Sequence, residues 1–268
     1  MQDMTFVCAD GGRLRYSTAG AGQPVILIHG LGLDASMWEA QWPVLQREFR
    51  AIRYDVRGFG ASTVPEAPYS HSDDLLGLLD FLEARPAHVI GLSFGGRLAL
   101  RFALDHPSAV KSLTLIDSAL EGHSWSGDWK QKMDCVLAAA RLGDSAGVQA
   151  AKQLWLAHDL FAPARRNAKL AAALAAMVER YTAWHWWNAD PVRRSAVPTA
   201  KALSTLGCRT LVLVGELDLP DFRAIGRRLA AEIPRATLHT IAGAGHMANM
   251  EAPDAVNERV LAHLRACA

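Results

Sequence analysis

The sequence predicts an α/β fold: a mostly parallel eight-stranded sheet with helices on both faces, and a helical cap inserted after the sixth strand. Three observations carry this. Short, continuous apolar runs alternate with amphipathic ones, the pattern of buried parallel strands separated by helices. The stretch from about Leu120 to Pro198 breaks that rhythm, shows no clear strand, and holds six of the eight tryptophans. Between an apolar run and a helical one stands Gly91-Leu92-Ser93-Phe94-Gly95, a serine between two glycines at a strand-to-helix turn.

In order, Thr5 to Cys8 and Arg13 to Thr18 flank Asp10-Gly11-Gly12, a hairpin signal. Pro24 to Ile28 and Phe49 to Tyr54 are apolar strands, and Ser36 to Gln46 between them reads as a helix carrying Trp38, Trp42 and Leu45. Asp73 to Glu83 is an amphipathic helix capped by Ser70 or Ser72. Residues 88–92 form a strand, Arg97 to Asp105 a helix stopped by His106-Pro107, and Ser112 to Ile116 the sixth strand. After the insertion come strand Thr210 to Val214, a helix near Phe222 to Glu232, strand Thr237 to Ile241 and a last helix from Pro253 to Leu264. Domain limits follow: residues 1–119 and 199–268 form the core, and 120–198 the cap. Within the cap, Leu170, Leu174, Met177, Tyr181 and Trp184 recur at helical spacing, and Asp190 to Pro198 reads as the return connection.

Composition narrows the function. A net charge of +1 gives no ground for a nucleic-acid partner or an acidic membrane surface. No apolar run reaches membrane-spanning length. Cys8, Cys135, Cys208 and Cys267 are spread singly, as in a reducing compartment, with no disulfide framework or zinc spacing. Met1-Gln2-Asp3-Met4 lacks a secretion signal, so a cytoplasmic location is expected. The Gly-x-Gly turns do not open a dinucleotide fingerprint, and no carboxylate or histidine cluster has metal-ligand spacing, so neither cofactor nor metal is expected.

Ser93, Asp218 in Gly215-Glu216-Leu217-Asp218 and His246 in Gly243-Ala244-Gly245-His246 follow in the order nucleophile, acid, histidine. A serine hydroxyl becomes nucleophilic when a histidine takes its proton, and a carboxylate then orients and balances the imidazolium. The sharp turn at Ser93 needs small neighbours two residues either side so that strand and helix pack closely. Asp117, ending the sixth strand, is the rival acid. Asp218 is favoured because it lies three residues past Gly215 at a strand end.

The chain resembles the α/β-hydrolase fold family. The resemblance runs from about Arg13 to Leu264 apart from the insertion. It rests on His29-Gly30-Leu31-Gly32, Asp55-Val56-Arg57-Gly58-Phe59-Gly60-Ala61-Ser62, the serine turn, the Gly-Glu-Leu-Asp segment, and Gly-Ala-Gly-His-Met followed by Glu251-Ala252-Pro253. Arg53-Tyr54-Asp55 through Tyr69 is similar to 3-oxoadipate enol-lactonases and related small esterases, although His29 departs from the lactonase form. The resemblance implies an oxyanion hole from the backbone N–H groups of Leu31 and Phe94. It also implies that the insertion lies over the carboxyl edge of the sheet; its tryptophans, its lack of strands and its place after the sixth strand predict a mobile helical lid. Candidate pocket residues are His29, Trp125, Trp155, Trp184, Trp186, Trp187 and Met247, with Arg97, Arg193 and Arg194 available for an anionic substrate. For His29 a structural hydrogen-bonding role is the stronger reading. Asp55 and Arg57 read as turn braces as readily as substrate contacts, and Asp221 as a helix cap.

The expected function is a cofactor-free carboxylic-ester hydrolase acting on a small-molecule ester or lactone. Three alternatives use the same triad: a carbon–carbon bond hydrolase of dienoic diketones, a perhydrolase, and a slow-turnover ligand receptor. Dehalogenases and epoxide hydrolases are excluded because they place a carboxylate where Ser93 stands.

Overall fold

In the computed structural model, which describes residues 4–268, the apolar runs become β1 (Met4–Val7), β2 (Arg13–Ala19), β3 (Pro24–Ile28), β4 (Arg50–Tyr54), β5 (Ala87–Leu92), β6 (Val110–Ile116), β7 (Arg209–Gly215) and β8 (Ala236–Ile241). They form one sheet in the order β1-β2-β4-β3-β5-β6-β7-β8. β2 is antiparallel to β1 and β4, and the other pairs are parallel. The β1–β2 hairpin closes at the predicted turn, where Gly11 takes φ +84° and Cys8 N–H donates to Gly12 O at 2.7 Å. Every residue of β5 is buried, which requires cover on both faces of the sheet.

The helices before the insertion are α1 (Trp42–Leu45), α2 (His71–Phe81) and α3 (Phe94–Asp105). The single helix expected over 36–46 is instead a 3₁₀ turn, Ala35–Trp38, followed by α1. Pro43 explains the break: it has no N–H to donate back to residue 39, so a continuous helix would lose that bond. Ser70 caps α2 by accepting from Asp73 N–H at 3.2 Å. α3 starts three residues earlier than the sequence suggests, directly behind Ser93, and packs on β5 and β6.

Residues 120–198 carry α4 (Gly127–Ala140), α5 (Ser145–Ala157), α6 (Ala162–Arg165), α7 (Ala168–Arg180) and α8 (Trp184–Trp187). The expected stripe holds through Leu174, Met177 and Tyr181, which are buried, and then fails. Ala183 turns left-handed at φ 59°, so Trp184 begins a separate short helix and does not extend the α7 face. The return segment makes one isolated parallel bridge, Val192 to Tyr69.

These helices touch loops at the carboxyl ends of several strands. Arg180 pairs with Asp34 after β3 at 2.7 Å. Trp155 lies so close to Gly32 that a methyl group there would stand 2.9 Å from its indole nitrogen. Pro163 packs on Gly245 beyond β8. Asp221, read as a helix cap, instead accepts from Ser126 Oγ at 2.6 Å and Ser126 N–H at 3.1 Å, tying the start of the insertion to the following helix.

Beyond the insertion run α9 (Pro220–Glu232), α10 (Ala248–Glu251) and α11 (Pro253–Ala266); α9 packs on β7 and β8, and α11 on β7. Among the described residues, no helix is long and apolar enough to cross a membrane. Met1 to Asp3, part of the segment on which the cytoplasmic expectation rests, lie outside the described residues.

Candidate active site

Ser93 occupies a backbone conformation that L-residues rarely adopt, φ 55° and ψ −114°. Such strain costs on the order of 1–3 kcal/mol and persists only where surroundings enforce it. Here they do: Ser93 N–H donates to Ile116 O at 3.0 Å, and Ser93 O accepts from Arg97 N–H and Ala119 N–H at 3.1 and 3.0 Å. The flanking glycines are needed for space. A Cβ on Gly95 would stand 2.1 Å from Ile28 O, and one on Gly91 would stand 2.3 Å from Gly95 O. β5 and α3 therefore meet at a turn that lifts Ser93 off the end of the sheet.

His246 and Asp218 meet as the sequence suggests. The imidazole Nδ1 lies 3.0 and 3.1 Å from the two carboxylate oxygens, and both side chains are buried. Leu219 N–H also donates to Asp218 Oδ1, at 2.7 Å. His246 Nε2 is buried without a hydrogen-bond partner among the described residues, Ser93 Oγ included. The imidazole packs 4.2 Å from the Phe222 ring, and Phe222 and Ser93 line the same cavity. Glu251 fixes the histidine loop. Its carboxylate accepts from Gly245 N–H at 2.7 Å and from Met247 N–H at 3.0 Å, the two amides flanking His246. The sequence marked Glu251 as part of a motif without showing this role.

Asp117, the rival acid, is also present at the site. It is fully buried, takes φ 43°, and accepts from Gly215 N–H at 2.7 Å. Burial, then the adjacent Asp218 charge, holds its pKa well above the ordinary carboxylate value. Of the two carboxyls, Asp218 is the member that contacts the histidine.

Leu31 and Phe94 border the cavity beside Ser93. Phe94 begins α3, so its N–H has no intrahelical acceptor. The Leu31 N–H donates to no described residue. His29 does not line the cavity. Val56 N–H donates to its Nε2 at 2.9 Å, which leaves the proton on Nδ1 to be donated to Gly30 O at 2.9 Å. Full burial lowers its pKa, in keeping with a neutral brace between the loops after β3 and β4.

The cavity at Ser93 has a volume of about 320 Å³. Trp125 and Trp155 line it, as expected, together with Trp129, Met133 and Phe222, which the sequence reading missed. Trp125 and Trp129 stack at 4.7 Å, and both lie edge-on to Phe222. The remaining pocket candidates are corrected. Trp186 is buried behind Trp155 and against Tyr181. Trp184 packs on His185, and Trp187 is 46% exposed. Neighbouring positions on a helix point about 100° apart, so three near-consecutive tryptophans could not share one face. Met247 is core, held at its N–H by Glu251. Asp55 accepts from Ala35 N–H and Ala61 N–H, and Arg57 pairs with Asp74 and Asp10, so both brace turns. A larger hollow, about 710 Å³, lies near the other ends of β6 and β7 beside Lys111 and Arg209, away from Ser93.

Against known proteins, residues 23–253 match the family model described as the alpha/beta hydrolase fold. The chain belongs to the α/β-hydrolase fold family. It is 30% identical to a candidate carbamate hydrolase, RutD, of Caulobacter sp. (strain K31), over 89% of both chains. It is 40% identical to 2-hydroxymuconate semialdehyde hydrolase of Pseudomonas sp. (strain CF600), over 42% of each. Among solved structures it is similar to the enol-lactonase of Burkholderia xenovorans LB400, with TM-score 0.78 and 26% identity, covering 98% of this chain and 100% of that one. Hydrolase is the class these relatives have in common; the bond and substrate differ among them.

Proposed function

We propose that the protein is a cofactor-free serine hydrolase that cleaves a carboxylic ester or lactone through an acyl-enzyme on Ser93. The carrying observation is the buried His246–Asp218 pair beside a strained serine turn, with Nε2 left unpartnered. His246 Nε2 takes the Ser93 proton as Oγ attacks the acyl carbon. The same proton passes to the departing alkoxide as the C–O bond breaks. Water then attacks the acyl-serine, giving its proton to His246, and the carboxylic acid leaves as Ser93 regains a proton. Asp218 holds Nδ1–H and balances the imidazolium. The Leu31 and Phe94 N–H groups receive the oxyanion in both halves of the reaction; losing one such donor typically costs about 3 kcal/mol of transition-state stabilisation.

The match to 2-hydroxymuconate semialdehyde hydrolase favours a second substrate class for the same machinery, a carbon–carbon bond beside a ketone. One panel separates the two: p-nitrophenyl esters, lactones and a dienoic diketone, each with wild-type protein and Ser93→Ala. Ester or lactone turnover and fluorophosphonate labelling that both vanish in Ser93→Ala support the reading. Labelling retained on another residue, or turnover of the diketone alone, defeats it.

A further inference from the structure

Arg97 lies one helical turn past Ser93 on α3 and lines the same cavity. Its guanidinium sits over the Phe94 ring, 4.8 Å from the centroid, and makes no hydrogen bond or ion pair with a described residue. This sets it apart. Arg53 is paired with Glu39, and Arg57 is held by Asp74 and Asp10. Arg194, exposed on the return segment, borders the same cavity and is likewise unpaired. Its neighbour Arg193 is occupied by Asp73 at 2.8 Å.

Two carboxylates act on Arg97 at a distance, and each has its hydrogen bonds elsewhere. Glu121 lines the cavity, but its Oε2 accepts from Thr199 Oγ1 and Thr199 N–H at 3.2 and 3.4 Å. Asp190 borders the adjoining hollow, where it accepts from Val192 N–H at 3.1 Å. Two guanidiniums, Arg97 and Arg194, and two carboxylates, Glu121 and Asp190, thus share this end of the cavity, but neither carboxylate is hydrogen-bonded to Arg97. Across from them stand Trp125, Trp129, Trp155 and Phe222. The cavity thus has an apolar aromatic wall and a guanidinium-bearing end, with Ser93 bordering both.

A partly buried guanidinium whose donors are unused is costly, and a planar carboxylate fits its fork with two parallel hydrogen bonds. We propose that Arg97, with Arg194 at the rim, is the subsite for a carboxylate carried by the substrate, so that the substrate is an ester or lactone bearing a free carboxylate. The free carboxylate lies on the α3 side of the scissile carbonyl and the apolar part against the tryptophans. The proposal rests on the Ser93 hydrolase reading for the bond that is cleaved, but the anion subsite stands on the arginines alone.

Two arms test it. The first compares kcat/KM for the p-nitrophenyl monoester of glutaric acid with that for neutral p-nitrophenyl pentanoate, in wild type, Arg97→Gln, Arg97→Lys and Arg194→Gln. The second measures calorimetric binding of benzoate and of neutral benzamide to Ser93→Ala, with and without Arg97→Gln. Wild type is expected to prefer the anionic ester at least tenfold. Arg97→Gln should lower kcat/KM at least ten times more for the anionic ester than for the neutral one, mainly through KM. Arg97→Lys should fall between, because it keeps the charge and loses the fork. Arg194→Gln, exposed and harmless to folding, should lose about threefold on the anionic ester, and carries the test if Arg97→Gln does not fold. Benzoate affinity should drop at least tenfold with Arg97→Gln, and benzamide should not distinguish the proteins. Equal losses on both esters, or benzoate binding indifferent to Arg97, overturn the subsite while leaving the hydrolase reading intact. Arg97-dependent benzoate binding without turnover of any ester would instead overturn the hydrolase reading and leave the subsite standing.

Discussion

Glu251→Gln is the perturbation that probes how His246, the proposed base, is held. The Glu251 carboxylate accepts two N–H bonds, from Gly245 and Met247, on either side of His246. Hydrogen bonds to charged groups are worth about 1.5–3 kcal/mol each. Glutamine keeps one acceptor oxygen and turns an NH₂ group toward the other donor, so one bond is lost and one amide is left facing a donor. Glu251 is only half-buried, so the lower part of that range applies and the expected destabilisation is about 2 kcal/mol. For a chain of this size that lowers Tm by about 4–8 °C. The functional effect should exceed the structural one. A 1 Å misplacement can cost about a hundredfold in rate; a loosened loop should reduce kcat on a p-nitrophenyl ester about tenfold, with KM little changed. Burial raises the Glu251 pKa even though the two N–H bonds oppose it. The clamp is ionised and intact above that raised pKa, and it is lost as pH falls through it. The acid-side loss of kcat in wild type should therefore contain a Glu251 contribution that Glu251→Gln lacks. A variant with the predicted drop in Tm but kcat within twofold of wild type, and an unchanged acid limb, would refute the reasoning. His246 would then be positioned by Asp218 and Phe222 alone.

Three other outcomes follow from the geometry. Asp218→Asn should reduce kcat by about ten-thousandfold, as loss of a triad acid does elsewhere, whereas Asp117→Asn, replacing a carboxyl whose pKa burial raises and that accepts from Gly215 N–H rather than touching the histidine, should cost less than tenfold; the reverse ranking in steady-state assays would show that Asp117 is the acid. His88, His158 and His185 are each pulled by burial to a pKa of about 4. They are neutral in the folded chain and protonate near 6.5 when unfolded, so their stabilising effect is full above pH 6.5 and is lost as pH falls toward 4. At one pKa unit per 1.36 kcal/mol, the loss is on the order of 3 kcal/mol for each; urea midpoints at pH 7, 5.5 and 4.5 should fall steeply, and a flat series would contradict the burial argument. Trp129→Ala should shift acyl-length preference toward larger acyl groups, because Trp129 lines the cavity and is only half-buried. A lower Tm with an unchanged p-nitrophenyl ester series would make it a packing residue only.

Those parts of the molecule that answer to local steric rules were legible in the sequence. Gly91 and Gly95 flank Ser93 because backbone oxygens stand where their side chains would be, and that requirement leaves a trace in sequence. Alternating strands and helices came through for the same reason, since continuous burial forces apolar runs. The helix over 36–46 failed because its apolar spacing outweighed one proline. The pocket was legible only in part. Trp125 and Trp155 were expected there, but Trp184, Trp186 and Trp187 were grouped with them by composition, and a short helix after the left-handed Ala183 sends them elsewhere. Phe222 was missed because it belongs to α9 and not to the insertion. Its signal was positional: four residues past Asp218, in the first turn of the helix that follows the acid.

The same contacts also tie specificity to catalysis. Trp155 forms part of the aromatic wall and at the same time lies on Gly32, next to the Leu31 amide proposed as an oxyanion donor. Pro163, from the same helical segment, packs on Gly245, whose N–H is one of the two held by Glu251 beside His246. Arg180 reaches Asp34, which itself accepts from Ser36 N–H in the turn beyond that loop. A helical segment fastened to the loops that bear Leu31 and His246 cannot move far without moving them. Opening to admit substrate must therefore loosen the catalytic geometry, and closing must restore it. An acyl group that fills the aromatic wall and a carboxylate that engages Arg97 would both favour the closed arrangement, so binding energy spent far from the scissile bond would appear in kcat as well as in KM.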